Sequence, residues 1–230
     1  MFGLFKKKKP EPPLVSPSYD VLFGDVPLDR WKPADGSAGP WAVFDEVRAA
    51  LSGKDKKRAQ QLLMQLLADP TLETRQHLQA WNVLRDLGVQ PEAAEAKQVL
   101  GVVLEVALEQ GNDTLAAFRD HSARLISHSG KLIVWESRDP QVDAMIDQLL
   151  TAGQQVAEKI GPWTEPRCVP PSQGNVRVSL LTPSGLHFGE GAFKVLARDR
   201  MAGPVITLGA KLMGGLIGRA SQAQGAQPDQ

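Results

Sequence analysis

The stretch Gly101–Glu136, GVVLEVALEQGNDTLAAFRDHSARLISHSGKLIVWE, decides the fold class of this 230-residue chain. Apolar residues alternate with other residues at a period of two, and polar clusters such as 110–113 and 129–130 interrupt the alternation. Such alternation is typical of half-buried strands, and clusters of Gly, Asn, Asp and Ser are typical of turns. The stretch therefore predicts an antiparallel meander of four strands over 102–108, 114–119, 123–127 and 131–136.

The segments after the meander predict helices and further strand. Asp139 and Pro140 begin a long helix whose apolar stripe runs to Ile160. Residues 176–181 alternate again and predict a fifth strand, while 186–191 suits either a sixth short strand or a loop. A final helix is expected from near residue 192, with a break near Gly203–Pro204 and an end at Arg219. The last residues, 221–230, are polar and are expected to be a disordered tail.

The segment before the meander, 41–100, has helical periodicity. Gly53, the Asp69–Pro70 pair and Gly88 are stop signals that predict the ends of three helices. Pro91 is expected to open a short fourth helix with the sequence PEAAEAK. Helices joined by loops this short predict a small antiparallel helical subdomain.

Residues 1–40 form a proline-rich arm, because seven prolines in this length disfavour both helix and sheet interior. The arm also carries apolar residues that a disordered linker would lack. We expect a disordered tip to about residue 16, followed by an extended segment held on the domain by Leu22, Phe23 and Trp31. Together the patterns predict an α+β protein: an N-terminal helical segment, and then, over 101–220, an antiparallel β-meander sheet packed against helices.

Composition excludes several classes of protein. The 26 basic and 26 acidic residues give a formal net charge of zero, which argues against a nucleic-acid partner. The one cysteine, Cys168, rules out a disulfide within the chain and any zinc site built on cysteine pairs. With neither a signal peptide nor an apolar run of about 18 residues, the chain is expected to be cytoplasmic, in the style of a bacterial protein.

Two histidines of the meander, His121 and His128, are candidates for catalysis because histidine titrates near neutral pH. Each is followed by serine, and an aspartate precedes His121. Neighbours in sequence rarely form a working Ser–His–Asp triad, which assembles in space. The structural interpretation is that both are exposed turn histidines whose serines cap the turns.

The segment 185–191, GLHFGEG, is the most unusual motif of the chain. Its glycines, Gly185, Gly189 and Gly191, are candidates for binding an anionic group through backbone N–H groups. His187 and Glu190 are candidates for a base and its orienting carboxylate. The segment matches neither the dinucleotide-binding fingerprint nor a P-loop. The structural interpretation is a glycine-rich turn with its phenylalanine packed inside.

The N-terminal tip, residues 1–9, combines three apolar residues with four lysines. Lysines near an anionic membrane contribute about 1 kcal/mol each, so weak membrane contact is a possible role. A tip this short is insufficient for stable anchoring. The alternative is a solubilising segment with no membrane role.

The sequence favours a non-enzymatic, cytoplasmic protein-interaction or adaptor protein with a protein partner. We expect neither a metal nor a cofactor, since catalytic and metal-ligand spacings are absent from the sequence. The alternative is an enzyme acting on an anionic small molecule, with its site between the meander turns and the 185–191 segment. That alternative requires the candidate histidines to converge in space. The sequence leaves the oligomeric state open.

Overall fold

The computed structural model describes residues 15–30 and 40–225 of the chain. Most of the predicted disordered tip, Trp31 and residues 226–230 lie outside the described residues. The described residues form a 3-10 turn at Pro40–Ala42 and the following helices and strands: α1 (Pro17–Asp20), α2 (Val43–Ser52), α3 (Lys56–Leu67), α4 (Thr74–Asp86), β1 (Gly101–Leu108), β2 (Gly111–Phe118), β3 (Ala123–Ile126), β4 (Leu132–Trp135), α5 (Pro140–Ala157), β5 (Asn175–Thr182), β6 (Gly185–Ala192), α6 (Phe193–Leu196) and α7 (Ala202–Gly225).

The strands form one antiparallel sheet in the order β4-β3-β2-β1-β5-β6. The predicted α+β class and the four-strand meander β1–β4 are confirmed. The segment 185–192 is the sixth strand and not a loop, because it pairs with β5 along its whole length, from Thr182↔Gly185 to Asn175↔Ala192. The β5–β6 hairpin joins the meander through β1, where Gly101 lies opposite Leu181.

One face of the sheet, here called the helix face, packs against α5 and α7. It carries the even-numbered apolar residues of β1 and their neighbours on β2 and β5, because successive residues of a strand point to opposite faces. These side chains share a core with the buried stripes of both helices. The main members of this core are Val102, Leu104, Leu115, Val178, Leu180, Ile146, Leu149, Leu212 and Leu216.

The opposite face, here called the arm face, is covered by the N-terminal segment and by α4. Tyr19, Leu22 and Phe23 are buried there against β1 and β2. The predicted attachment through Leu22 and Phe23 is therefore confirmed. The expectation of an extended chain is wrong at Pro17–Asp20, which form a helical turn. Proline suits the first turn of a helix, and the Ser16 hydroxyl accepts a hydrogen bond from the Tyr19 N–H at 3.3 Å.

The helices α2, α3 and α4 share a separate core, with Phe44, Leu63 and Leu84 fully buried. Gly53 caps α2, as its position in the sequence predicts. The predicted fourth helix at 91–97 is wrong, because this segment forms turns. Its backbone is tied to other elements: the Ala96 carbonyl accepts a hydrogen bond from the Ser184 N–H at 2.9 Å. This hydrogen bond holds the segment in place just before β1 begins.

The C-terminal helices differ from the prediction in two places. The break lies at 197–201, and Pro204 falls in the first turn of α7. A proline is tolerated there because the N–H groups of the first turn have no partner within the helix. Helix α7 also continues to Gly225, beyond the predicted end at Arg219, so the first residues of the predicted 221–230 tail are helical. None of the described helices is both long and apolar enough to span a membrane.

Candidate functional site

His121 and His128 are each held by a carboxylate at a turn of the meander. His121 has a positive φ of 63°, and its Nε2 lies 2.9 Å from Asp147 Oδ1 on α5. The Nδ1 of His128 lies 2.9 Å from Asp113 Oδ1 on β2, and Asp113 also accepts the His128 backbone N–H. These contacts fix the turns. The His121 and His128 rings therefore have structural partners on the neighbouring elements.

His187 is fully buried on β6 and points to the helix face. Its Nε2 lies 3.2 Å from the Ser184 hydroxyl, in the turn between β5 and β6. Burial lowers the pKa of His187; the Ile160 backbone opposes this effect and the Lys97 charge adds to it. The neutral ring therefore bonds a hydroxyl inside the protein. Sequence spacing alone gave no sign of this pair.

The candidate histidines do not meet. His128 follows β3 and His187 lies on β6, so β2, β1 and β5 stand between them. Four strand spacings separate them by roughly 19 Å. One hydrogen-bonded site cannot span that distance. The strand order therefore keeps His128 and His187 out of one hydrogen-bonded site, and the alternative of an enzyme stays a prediction.

Glu190 does not orient His187, because the two side chains lie on opposite faces of β6. Glu190 instead accepts a hydrogen bond from Arg177 Nε at 2.8 Å. Gly185, Gly189 and Gly191 lie within β6 and not in a phosphate-type loop. Pairing with β5 uses half of the backbone N–H groups of β6. Binding of an anionic group by these three glycines stays a prediction.

A buried polar cluster that the sequence analysis missed lies on the arm face. Glu105 on β1 is fully buried and accepts a hydrogen bond from the Tyr19 hydroxyl at 2.6 Å. Arg177 on β5 lies opposite it, with Nη1 at 3.6 Å from Glu105 Oε2. Arg177 also donates to the Cys168 and Val169 carbonyls. The sequence feature that could have indicated this cluster is the presence of one charged residue, Glu105 or Arg177, within each of two apolar strands.

Burial raises the pKa of Glu105, although the Tyr19 hydrogen bond and the charge of Arg177 act in the opposite direction. Burial also raises the pKa of Tyr19, which therefore stays protonated and donates. The Oε2 atom of Glu105 has no hydrogen-bond partner within the described part of the chain. A sealed carboxylate of this kind holds the arm on the sheet and has no access for a substrate.

Strand β4 forms one outer edge of the sheet. The Ser127 N–H donates to the Lys131 carbonyl at 2.9 Å across the β3–β4 loop. In an antiparallel ladder bonded and non-bonded pairs alternate, so the polar backbone groups of Leu132 and Val134 point away from β3. Their side chains are 45% and 50% exposed on the arm face. Within residues 15–30 and 40–225 these outward backbone groups have no hydrogen-bond partner, and exposed apolar side chains lie beside them.

A cavity of about 400 Å³ lies between α4, the β5–β6 turn and residues 163–167. It lies at the end of the sheet opposite β4. Among the residues that the structure describes, no group of three or more His, Cys, Asp and Glu side chains is placed to hold a metal ion.

Comparison with known proteins adds no further identification. No protein-family model matches the chain, and neither a curated protein nor a solved structure shows a significant match to it.

Proposed function

We propose that this chain is a non-enzymatic protein-interaction or adaptor protein that binds an extended segment of a partner protein along β4. The observation that carries the proposal is the β4 edge, where Leu132 and Val134 present both backbone hydrogen-bonding groups and half-exposed side chains. A peptide strand that adds to such an edge gains backbone hydrogen bonds, and its alternate side chains supply specificity.

The other edge of the sheet, β6, is protected. The backbone N–H of Trp163 donates to the Leu186 carbonyl at 2.6 Å, so this outward-pointing carbonyl of β6 already has a partner. Glu190 places a charge beside the same edge. Charges and covering loops are the usual means by which proteins block edge strands. Along Leu132–Trp135, β4 carries no charged residue, and no loop of the described residues forms a backbone hydrogen bond with its outer edge, which favours it as the docking edge.

The side chains of the edge indicate what the partner segment looks like. Leu132 and Val134 would pack against apolar residues at alternate positions of the added strand, because paired residues share a sheet face. Lys131, exposed at the start of β4, favours an acidic residue at that end of the segment. The two outward residues offer at most four backbone hydrogen bonds, each worth about 1 kcal/mol. After the costs of association, affinity is expected in the micromolar range or weaker.

The location of the protein stays a proposal. A cytoplasmic adaptor agrees with a single cysteine and a fold stabilised by its core. The predicted weak membrane contact through residues 1–9 lies outside the described residues and remains a prediction. Fusing residues 1–16 to a fluorescent protein tests it, and even distribution through the cell would contradict it.

The test of β4 begins with a photo-crosslinking amino acid placed at Leu132 and, as a control, at Val195, which is at least as exposed on the distant α6. We expect crosslinks to one extended segment of another protein from position 132 and not from 195. The mapped segment is then made as a peptide, and its affinity for the purified protein is measured by calorimetry.

Val134→Pro is the discriminating variant, because it removes the outward N–H while leaving the bonds between β3 and β4 in place. We expect it to weaken peptide binding about tenfold, and we expect Val134→Thr to retain most of the affinity. Thermal unfolding of both variants shows whether the sheet is intact. Equal binding by Val134→Pro and the parent would contradict the proposal, and crosslinks between two copies of the chain would make the occupant a second copy.

A further inference from the structure

The cavity between α4 and the β5–β6 turn has the properties of a small-molecule site. Its volume of about 400 Å³ lies within the range of ligand pockets. Phe23, Leu78 and Leu186 form apolar parts of its wall, and Trp163 lies at its rim with 42% of its surface exposed. Such walls suit a ligand with an apolar or aromatic body.

Arg85 lines this cavity with a positively charged guanidinium. Its Nη1 donates to the Pro183 carbonyl at 2.7 Å, and its Nη2 donates to Asn82 Oδ1 at 3.2 Å. Both acceptors are neutral, and no carboxylate in the described part of the chain forms a salt bridge with it. Burial lowers the pKa of Arg85, while the charges of Asp86 and Asp25 oppose this effect. A partly buried guanidinium with five N–H donors can bond a carboxylate in addition to these two acceptors.

The second arginine of the cavity, Arg167, shows the contrast. Its Nε donates to Asp25 Oδ2 at 2.9 Å and its Nη2 donates to Asp20 Oδ1 at 3.2 Å. Arg167 is therefore already neutralised by two carboxylates. The anion-binding capacity of the cavity rests on Arg85.

Gly185 keeps the guanidinium of Arg85 open to a ligand. A Cβ at this position would lie 3.8 Å from Arg85 Nε and 3.9 Å from its Cζ, so any larger side chain would cover the group. The hydroxyl-bearing Thr182 and Ser184 line the wall beside it. The glycine thus contributes access and not a backbone cradle.

The acidic residues around the cavity limit the charge of the ligand. Asp25, Asp86 and Glu165 also line it, so a ligand with two negative charges meets more repulsion there than a ligand with one. A single carboxylate can bond Arg85 in a bidentate manner with less repulsion. We propose that this cavity binds an organic monocarboxylate with an apolar or aromatic body, with its carboxylate on Arg85.

The test compares three probes on the purified full chain by calorimetry or ligand-observed NMR: 3-phenylpropionate, its neutral amide and phenyl phosphate. We expect 3-phenylpropionate to bind at least about tenfold more tightly than the amide, since a hydrogen bond to a charged group is worth about 1.5–3 kcal/mol. We expect phenyl phosphate to bind more weakly than 3-phenylpropionate. Equal affinity for acid and amide, or no binding of the acid at millimolar concentration, would overturn the proposal.

Two variants locate the site. Arg85→Gln keeps a donor for the Pro183 carbonyl and is expected to weaken 3-phenylpropionate binding about ten- to hundredfold. Glu165→Gln removes an exposed negative charge and is expected to strengthen it up to a few fold. Arg58→Gln, on the exposed surface of α3, is the control and should change nothing. Unchanged binding by Arg85→Gln would place the acid elsewhere and refute the assignment. Peptide binding at β4 is measured separately, so either proposal can fail alone.

Discussion

Replacing Arg177 by methionine is expected to lower the free energy of unfolding by about 3–5 kcal/mol at pH 8, measured by urea denaturation. The arginine lies between Glu105 and Glu190 and is itself almost fully buried. Its removal leaves the Glu105 carboxylate in the interior without its nearest opposite charge. An uncompensated buried charge costs far more than a surface ion pair contributes.

The control for Arg177→Met is Arg219→Met. Arg219 pairs with Asp139 at the start of α5, with both side chains partly exposed to solvent. Solvent screens such a pair, so its loss is expected to cost much less than the loss of Arg177. Similar losses from the two variants would show that the buried cluster contributes no more than a surface pair.

The cost of Arg177→Met is expected to depend on Glu105 and on pH. The pKa of Glu105 is raised in the folded state. The stabilisation of the folded state by protonated Glu105 is therefore complete at low pH, and it is lost as the pH rises through the folded-state pKa. Arg177→Met should therefore lower the free energy of unfolding less at pH 4 than at pH 8.

Glu105→Gln retains an acceptor for Tyr19 and removes the charge. Combined with Arg177→Met, it should recover about 1–3 kcal/mol, and strict additivity of the two losses would contradict the coupling.

Replacing Gly24 by alanine is expected to destabilise the protein by about 2–4 kcal/mol and to release the arm from the sheet. Gly24 has a positive φ of 61°, and a Cβ there would lie 2.6 Å from the Cβ of Leu78 on α4. The Gln79 backbone nitrogen lies 3.0 Å from the same point, so a side-chain rotation cannot relieve the contact. Urea denaturation measures the loss, and limited proteolysis within 15–30 reports release of the arm.

Gly88→Ala separates strain from contact. Gly88 has a φ of 88°, but apart from its own chain neighbours no atom of the described residues lies within 4 Å of the Cβ position. Its substitution is therefore expected to cost about 1 kcal/mol through backbone strain alone. If Gly24→Ala cost no more than Gly88→Ala, the close approach of the arm to α4 would have no energetic weight.

The meander could be predicted from the sequence because strands and turns of this kind are set by residues close to one another in the chain. Alternation sets which residues share a face, and turn residues such as Ser129–Gly130 set where strands end. Strand β6 was ambiguous because its glycines, such as Gly189, weaken the alternation. The 91–97 segment was predicted as a helix because its composition favours one. Hydrogen bonds to distant residues such as Ser184 override that preference.

The candidate site was less accessible to sequence reasoning because it depends on long-range pairing. Placing β5 beside β1 separates His187 from His128, and no local pattern indicates that order. The Glu105–Arg177 cluster could have been suspected, since each charged residue interrupts the apolar pattern of a strand. Nothing in the sequence marked Arg85 as a candidate binding residue, because an arginine near the end of a helix is usually solvated.

The position of β1 at the centre of the sheet has a consequence for synthesis of the chain. Its second neighbour, β5, begins at Asn175, about 40 residues after the meander ends at Trp135. At roughly 5–20 residues per second a ribosome needs about 2–8 s to supply it. During that interval β1, in which six of eight residues are Val, Leu or Ala, has an open edge on the nascent chain. We expect this stage, and not the finished fold, to be the point at which the protein depends most on chaperones.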